Sequence, residues 1–420
     1  MDYFEIQGGK QLNGEVSISG AKNSVLLILC AALLGKSKTI LKNVPHLNDV
    51  ITMIEILNSL GAKTEFIKKN MISVDPSGLN KSEAPYDMVR KMRASICVLG
   101  PLLAIFGKAK ISLPGGCVIG PRPVDIHIKG LTSLGATCSI KHGYMNIKGS
   151  NLHGEVFLGG RFGSSVTGTA NILMASVLSN GTTYIESAAM EPEIQDLAVF
   201  LNKMGAKISG IGSHLLQIKG VKSLNGVKHT IIPDRIETGT FIIASAITKS
   251  EILLKNTSIH NIRAITDKLT GIGIKIKATK EGIIVLKSKI LQATDIITLP
   301  FPGFPTDMQA QVMALLSISE GISVVTEKVY PERFMHISEL NRMGASISLE
   351  GSTAIIKGVK ALSGAPVMAS DLRASAALVL AALVAEGTST IGRVYHIDRG
   401  YENIEKKLSS LGAKITRKNG

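Results

Sequence analysis

The chain has 420 residues, 45% of them hydrophobic and 19% charged, which excludes a disordered polypeptide and predicts two domains, since one core rarely serves so long a chain. Its 47 Lys and Arg against 32 Asp and Glu leave a net charge of +15, but the cations are scattered, Trp is absent and aromatics are few. A nucleic-acid reader more often carries a basic stripe with stacking aromatics, whereas a groove for small phosphates or carboxylates suits the same charge; composition leaves both open.

The opening segment DYFEIQG reads as a lone strand. Next comes NSVLLILCAALL, a helix apolar nearly all round and therefore buried on every side. At about half the length that spans a bilayer, it is a core helix, and no membrane association is expected. A small turn, GKSK, and a short β-branched strand follow. Then VITMIEILNSLGAK places Ile51, Ile54, Leu57 and Leu60 on one helix face and ends on Gly61, a residue suited to closing a helix.

The closing tag recurs with its glycine at 61, 135, 205, 273, 344 and 412, so the chain is six copies of a unit of about 70 residues. Buried helices are expected again at ASICVLGPLLAIF, NILMASVL, TGTFIIASAI, MQAQVMALLSI and RASAALVLAALVA. Each unit reads as inner helix, strand, loop, outer helix, tag and two strands. Three units per globule give a first domain over 21–231 and a second over 1–20 plus 232–420, with the active site expected in the cleft between them. The opening strand lacks an inner helix before it and is expected to complete the last unit.

The repeat makes scattered polar residues equivalent. One set opens the inner helices: Lys22 and Asn23, Arg93, Ser164 and Ser165, Asp234 and Arg235, Asp307, then Asp371 and Arg373. Helix N-termini offer free N–H groups and a positive dipole end, which suits anions, although an Asp there is ordinarily just a cap. Asp307 stands out within the Pro-flanked turn FPTD. The second set precedes the outer helices: Cys117 and Arg122, Glu191 and Glu193, Arg333, then Asp398 and Arg399.

The loop LPGGCVIGPRPVDIHI sets the Cys117 thiol between glycines and an arginine, a setting for a proton donor or nucleophile; the plainer reading is a buried structural cysteine. The four cysteines show no paired or metal-ligand spacing and no signal segment precedes them, which implies a reducing cytosol. His127, His336 and His396 lack metal-helix spacing and read as structural or substrate-bonding residues. Gly8-Gly9 and Gly159-Gly160 carry no phosphate-loop context.

Taken together, SGAKNSVLLIL, VRKMRASI, LPGGCVIGPRPVDIHI, EPEIQDLAVFLNKMGAKI, PDRIETGTF, FPTDMQAQ, ERFMHISEL, DLRASAALVLA and HIDRGYENIEKKL resemble the UDP-N-acetylglucosamine 1-carboxyvinyltransferase family of enolpyruvyl transferases. The resemblance runs the length of the chain. It implies the α/β fold of that family, a two-domain inside-out α/β barrel of six repeats like EPSP synthase. It also implies transfer of the enolpyruvyl group of phosphoenolpyruvate to the 3′-hydroxyl of UDP-N-acetylglucosamine, by addition and elimination, with no metal or organic cofactor.

By resemblance Cys117 is the general acid and Asp307 the base. Lys22, Asn23, Arg122 and Arg399, with Arg373, hold phosphoenolpyruvate. The UDP-sugar falls to Arg93, to the run Arg122, Pro123, Val124, Asp125, Ile126 and His127, to Arg161, Ser164, Ser165 and Val166, and to Asp307 and Val329. The segment Arg161–Gly168 departs from the family's usual diphosphate loop, with Arg161 in place of a lysine. Met190 stands where an arginine is usual, and Pro121 where a small residue is frequent and should stiffen the loop.

The sister enzymes that act on shikimate 3-phosphate typically carry GSKS where this chain has GAKN, and lack the cysteine loop. A six-unit DNA clamp would share the pseudo-repeat and the charge, but it would not bury an apolar helix in each unit or need a loop thiol. Small-molecule substrates are expected as partners and no nucleic acid; the sequence leaves the oligomeric state open.

Overall fold

The computed structural model describes residues 2–113, 124–288 and 290–420. Cys117, Arg122 and Pro123 lie outside the described residues, as do the other residues of 114–123. The described chain forms six four-stranded sheets of one design. In one, Thr39–Lys42 lies parallel to Lys228–Thr230 and antiparallel to Met71–Asp75, whose other edge carries Lys63–Lys68. Alternation sends Leu41, Ile72 and Val74 into the core and leaves Lys42, Lys63 and Glu65 outside.

Each sheet accompanies a buried helix and an amphipathic one. In Lys22–Ala32 every residue from Ser24 onward is buried, and in Leu372–Val384 every residue from Arg373 to Leu383. Such helices have no polar face to offer water, so they pack on one another. Arg235–Ile247, Gln309–Leu316 and Leu372–Val384 do so in one core; Lys22–Ala32, Arg93–Phe106 and Val166–Ser176 do so in the other.

Two inner helices differ from the expected single α-helix. The second begins as a 3-10 turn, Arg93–Val98, before Leu99–Phe106. Pro101 has no N–H to continue the ladder there. The buried Asn171 carboxamide serves the backbone instead, accepting from Gly100 N at 2.9 Å and donating to Ile96 O at 3.0 Å. The fifth likewise opens as the turn Thr306–Met308, just after Pro305.

The tag has a backbone cause. All six tag glycines have φ between +88° and +111°, the left-handed region in which side chains are strained and helices are closed.

By contacts the described residues divide into a unit of 2–19 with 233–420 and a unit of 20–113 with 124–232. In the first, Tyr3–Gln7 runs antiparallel between Thr388–Gly392 and Lys414–Lys418, burying Phe4 and Ile6, so the opening strand occupies the middle of the last sheet. The chain crosses between units twice. On one side of the crossings Asp234 N donates to Ser19 O at 2.9 Å, and on the other Ala21 N donates to Ile232 O at 2.7 Å. Among the described residues no helix is long and apolar enough to cross a membrane.

Candidate functional site

The unit that holds Asp307 brings three of the expected residues into contact. Pro305 starts the 3-10 turn that presents the Asp307 carboxylate. Its Oδ1 accepts from Arg333 Nη1 at 2.8 Å and its Oδ2 from Arg373 Nη2 at 3.0 Å. Both arginine side chains are about 95% buried, while a quarter of the Asp307 side chain stays exposed. Burial works against the carboxylate charge, but the guanidiniums of Arg373 and Arg333 outweigh it and hold Asp307 well below the usual carboxylate range. The same contacts raise both arginines against their own burial, so all three stay charged.

Arg373 is placed by its helix and by a buried polar floor. Asp371 caps that helix, accepting from Arg373 N at 2.8 Å and Ala374 N at 3.2 Å, and Asp234 caps its own through Ile236 N and Glu237 N. Both are therefore ordinary N-caps. Beneath Arg373 lies buried Tyr401, whose hydroxyl shares a 2.8 Å hydrogen bond with Thr240 and receives Gln311 Nε2 at 3.2 Å. The Arg373 guanidinium lies 5.6 Å from the Tyr401 ring centroid.

Arg333 rests on a second polar cluster that the sequence reading missed. Its Nη1 also donates to Thr306 Oγ1 at 3.0 Å, and Thr306 in turn donates to Glu327 Oε2 at 2.9 Å. Glu327 is fully buried, and Val329 enters the site through its backbone N, which donates to Glu327 Oε1 at 2.8 Å. A signal for Glu327 was available: in Ile322–Glu327 the alternation that buries Ser323 and Val325 also turns residue 327 inward. Tyr401 had no such signal, because it lies outside a regular strand or helix.

Arg399 closes the 3-10 turn Val394–Arg399 and is half-buried. Its neighbour Asp398 faces elsewhere, bonded to both terminal nitrogens of Arg417 at 2.9 and 2.5 Å, so it is not available as a site base in this arrangement. His336 is buried, pushed down to about 4 by burial, and its Nε2 lies 3.2 Å from Met313 Sδ.

In the other unit Lys22 opens its helix and pairs through Nζ with Asp49 Oδ2 at 3.0 Å, both side chains largely buried; Asn23 beside it is half-buried. Arg93 opens the 3-10 turn of the second inner helix. His127 is 2% exposed, with Nδ1 3.0 Å from Asn171 Nδ2 and Nε2 3.2 Å from Thr167 Oγ1. Burial, then the Arg93 charge, pushes it down to about 4, which keeps the imidazole neutral at pH 7.

Val124 precedes the helix Asp125–Ser133, where Asp125 is exposed and Ile126 half-buried. Ile126 lies under a tight hairpin, Gly159–Gly160 with Gly163–Ser164; a Cβ on Gly160 would stand 2.9 Å from its Cδ1. Exposed Arg161 sits at the hairpin turn with its guanidinium 5.3 Å from the Phe162 ring. Ser165 caps the next helix by accepting from Gly168 N at 3.1 Å, and Val166 begins that helix. Burial raises the thiol pKa of Cys30, Cys97 and Cys138, Cys97 to about 12, which makes them poor thiolates. Among the described residues no three His, Cys, Asp or Glu side chains are grouped to hold a metal ion.

The profile of the family described as EPSP synthase (3-phosphoshikimate 1-carboxyvinyltransferase) matches residues 6–408. Solved structures give the same architecture: the enolpyruvyl transferase NikO from Streptomyces tendae aligns with a TM-score of 0.90 over 100% of this chain and 99% of its own, at 24% identity. The EPSP synthase of Acinetobacter baumannii aligns with a TM-score of 0.78 over 100% of both chains, at 17% identity. The fold is thus that of the enolpyruvyl transferases. Closer in sequence are proteins named UDP-N-acetylglucosamine 1-carboxyvinyltransferase, 52% identical in Dichelobacter nodosus and 53% in Methylacidiphilum infernorum, each over 99% of both chains. The chain belongs to the UDP-N-acetylglucosamine 1-carboxyvinyltransferase branch of this family.

Proposed function

We propose that the chain transfers the enolpyruvyl group of phosphoenolpyruvate to the 3′-hydroxyl of UDP-N-acetylglucosamine and releases phosphate, the first committed step of peptidoglycan synthesis. The observation that carries this reading is identity of about half the residues, end to end, with relatives named for that reaction. The distant likeness to EPSP synthase, at 17% identity, supports only the shared fold. The substrates are small anions, in keeping with the chain's positive balance, and the reading places the enzyme in the cytoplasm.

In this reading Asp307 takes the proton of the sugar hydroxyl as its oxygen bonds to C2 of phosphoenolpyruvate, while the Cys117 thiol gives a proton to the C3 methylene. The tetrahedral adduct then loses a C3 proton and its C2–O bond to phosphate, which restores the double bond. Lys22, Arg122 and Arg399 counter the carboxylate and phosphate charges, with Asn23 and Arg373 beside them. Arg93, Pro123, Val124, Asp125, Ile126, His127 and Val329 are assigned to the nucleotide sugar, with Arg161, Ser164, Ser165 and Val166 toward its diphosphate. These roles are assigned to residues of both contact units.

The test is phosphate release from phosphoenolpyruvate with two acceptors. UDP-N-acetylglucosamine should support turnover and shikimate 3-phosphate should not. Release with shikimate 3-phosphate alone would overturn the proposal in favour of the activity that gives the family its description.

A further inference from the structure

We propose that Glu327 and Thr306 form a positioning relay that orients Arg333 against Asp307. The inference rests on the reading above, in which Asp307 is the base, and adds two residues to which that reading assigns no role.

The argument is one of hydrogen-bond direction. Glu327 is buried and accepts four bonds: Oε1 from Thr298 Oγ1 at 2.6 Å, Val329 N at 2.8 Å and Tyr330 N at 2.9 Å, and Oε2 from Thr306 Oγ1 at 2.9 Å. The Thr306 hydroxyl proton is thus committed to Glu327 Oε2. That leaves the Thr306 lone pairs to receive Arg333 Nη1 at 3.0 Å. The second proton of the same nitrogen goes to Asp307 Oδ1 at 2.8 Å. Arg333 Nε is buried with no hydrogen-bond partner among the described residues. Each link has one permitted direction, and the chain runs from a fully buried anchor to the partly exposed carboxylate.

The relay also ties together three pieces of backbone. Glu327 ends a strand, Thr306 sits in the turn that presents Asp307, and the Glu327 bonds to Val329 and Tyr330 fix the loop that leads to Arg333. One carboxylate therefore sets the mutual position of the base and its guanidinium partner.

The experiment uses the full chain with 15N-labelled arginine, Arg333 being assigned through Arg333→Lys. In the parent the two Arg333 Nη1 protons should be resolved, because both are held. Thr306→Val and Glu327→Gln should average them, and Thr306→Ser should restore them. In the phosphate-release assay Thr306→Val and Glu327→Gln should lower kcat about tenfold or more, with KM for phosphoenolpyruvate within about threefold and Thr306→Ser near the parent. Resolved protons in Thr306→Val, or a Thr306→Ser variant as impaired as Thr306→Val, would overturn the relay. If Glu327→Gln does not fold, the two Thr306 variants decide. A parent that shows the expected spectra but releases no phosphate leaves the relay standing and sinks the reaction; turnover with unchanged spectra does the reverse.

Discussion

Asp307 is held ionised by two guanidiniums, and a carboxylate so stabilised is a weak base. In the proposed reaction it gains basicity only when an anionic substrate offers Arg333 or Arg373 another partner. Asp307→Asn should therefore reduce turnover by about 100-fold or more. It should also cost about 2 kcal/mol of stability, because two buried arginines lose their counter-charge, an amount discounted for the exposed quarter of the side chain. The sign of the pH dependence follows from the depressed folded value. The contribution is complete above the unfolded carboxylate value and is lost as pH falls toward the folded one, so parent and variant should converge in denaturation midpoint only below about pH 4. A gap that stays constant to lower pH would mean that Asp307 is not held by charge. Asp307 was legible in sequence from its Pro-flanked turn, and Arg333 and Arg373 from their places in the repeat. Their mutual contact was not, because Asp307 and Arg333, at opposite ends of one repeat, and Arg373 from the next meet only through packing.

The six elements that end in the tag share one backbone need but not one environment, and that difference is measurable. Gly61 and Gly135 have φ of +104° and +98°. A Cβ on Gly61 would lie 2.4 Å from Gly78 O, whereas one on Gly135 meets nothing within 4 Å. Gly135→Ala should cost about 1 kcal/mol, the left-handed strain alone, and Gly61→Ala about 3 kcal/mol or more, since backbone must also move. Equal losses in chemical denaturation would show that the clash relaxes freely. The repeat was readable because a glycine at a helix end and an apolar helix are local requirements. The 3-10 starts at Arg93–Val98 and Thr306–Met308 were not, since the first depends on Asn171, a partner about seventy residues away whose carboxamide replaces the missing ladder bonds.

At the scale of the molecule, Tyr3–Gln7 is the structural centre of the last sheet. Phe4 is fully buried in the core of the unit that holds Asp307, and Phe4→Ala should cost about 3–5 kcal/mol there. Amide exchange should then quicken in Thr388–Gly392 and Lys414–Lys418 while Thr39–Lys42 in the other unit stays protected. Loss of protection in both units alike would show that they unfold as one. The placement of that strand also bears on synthesis. The sheet strands between 20 and 232 can meet all their partners while the rest is still being made, but Tyr3–Gln7 is made long before Thr388–Gly392 and Lys414–Lys418 and must wait for them. Until then its apolar edge needs shelter, so the unit bearing Asp307 is the later one to mature and the more dependent on chaperones.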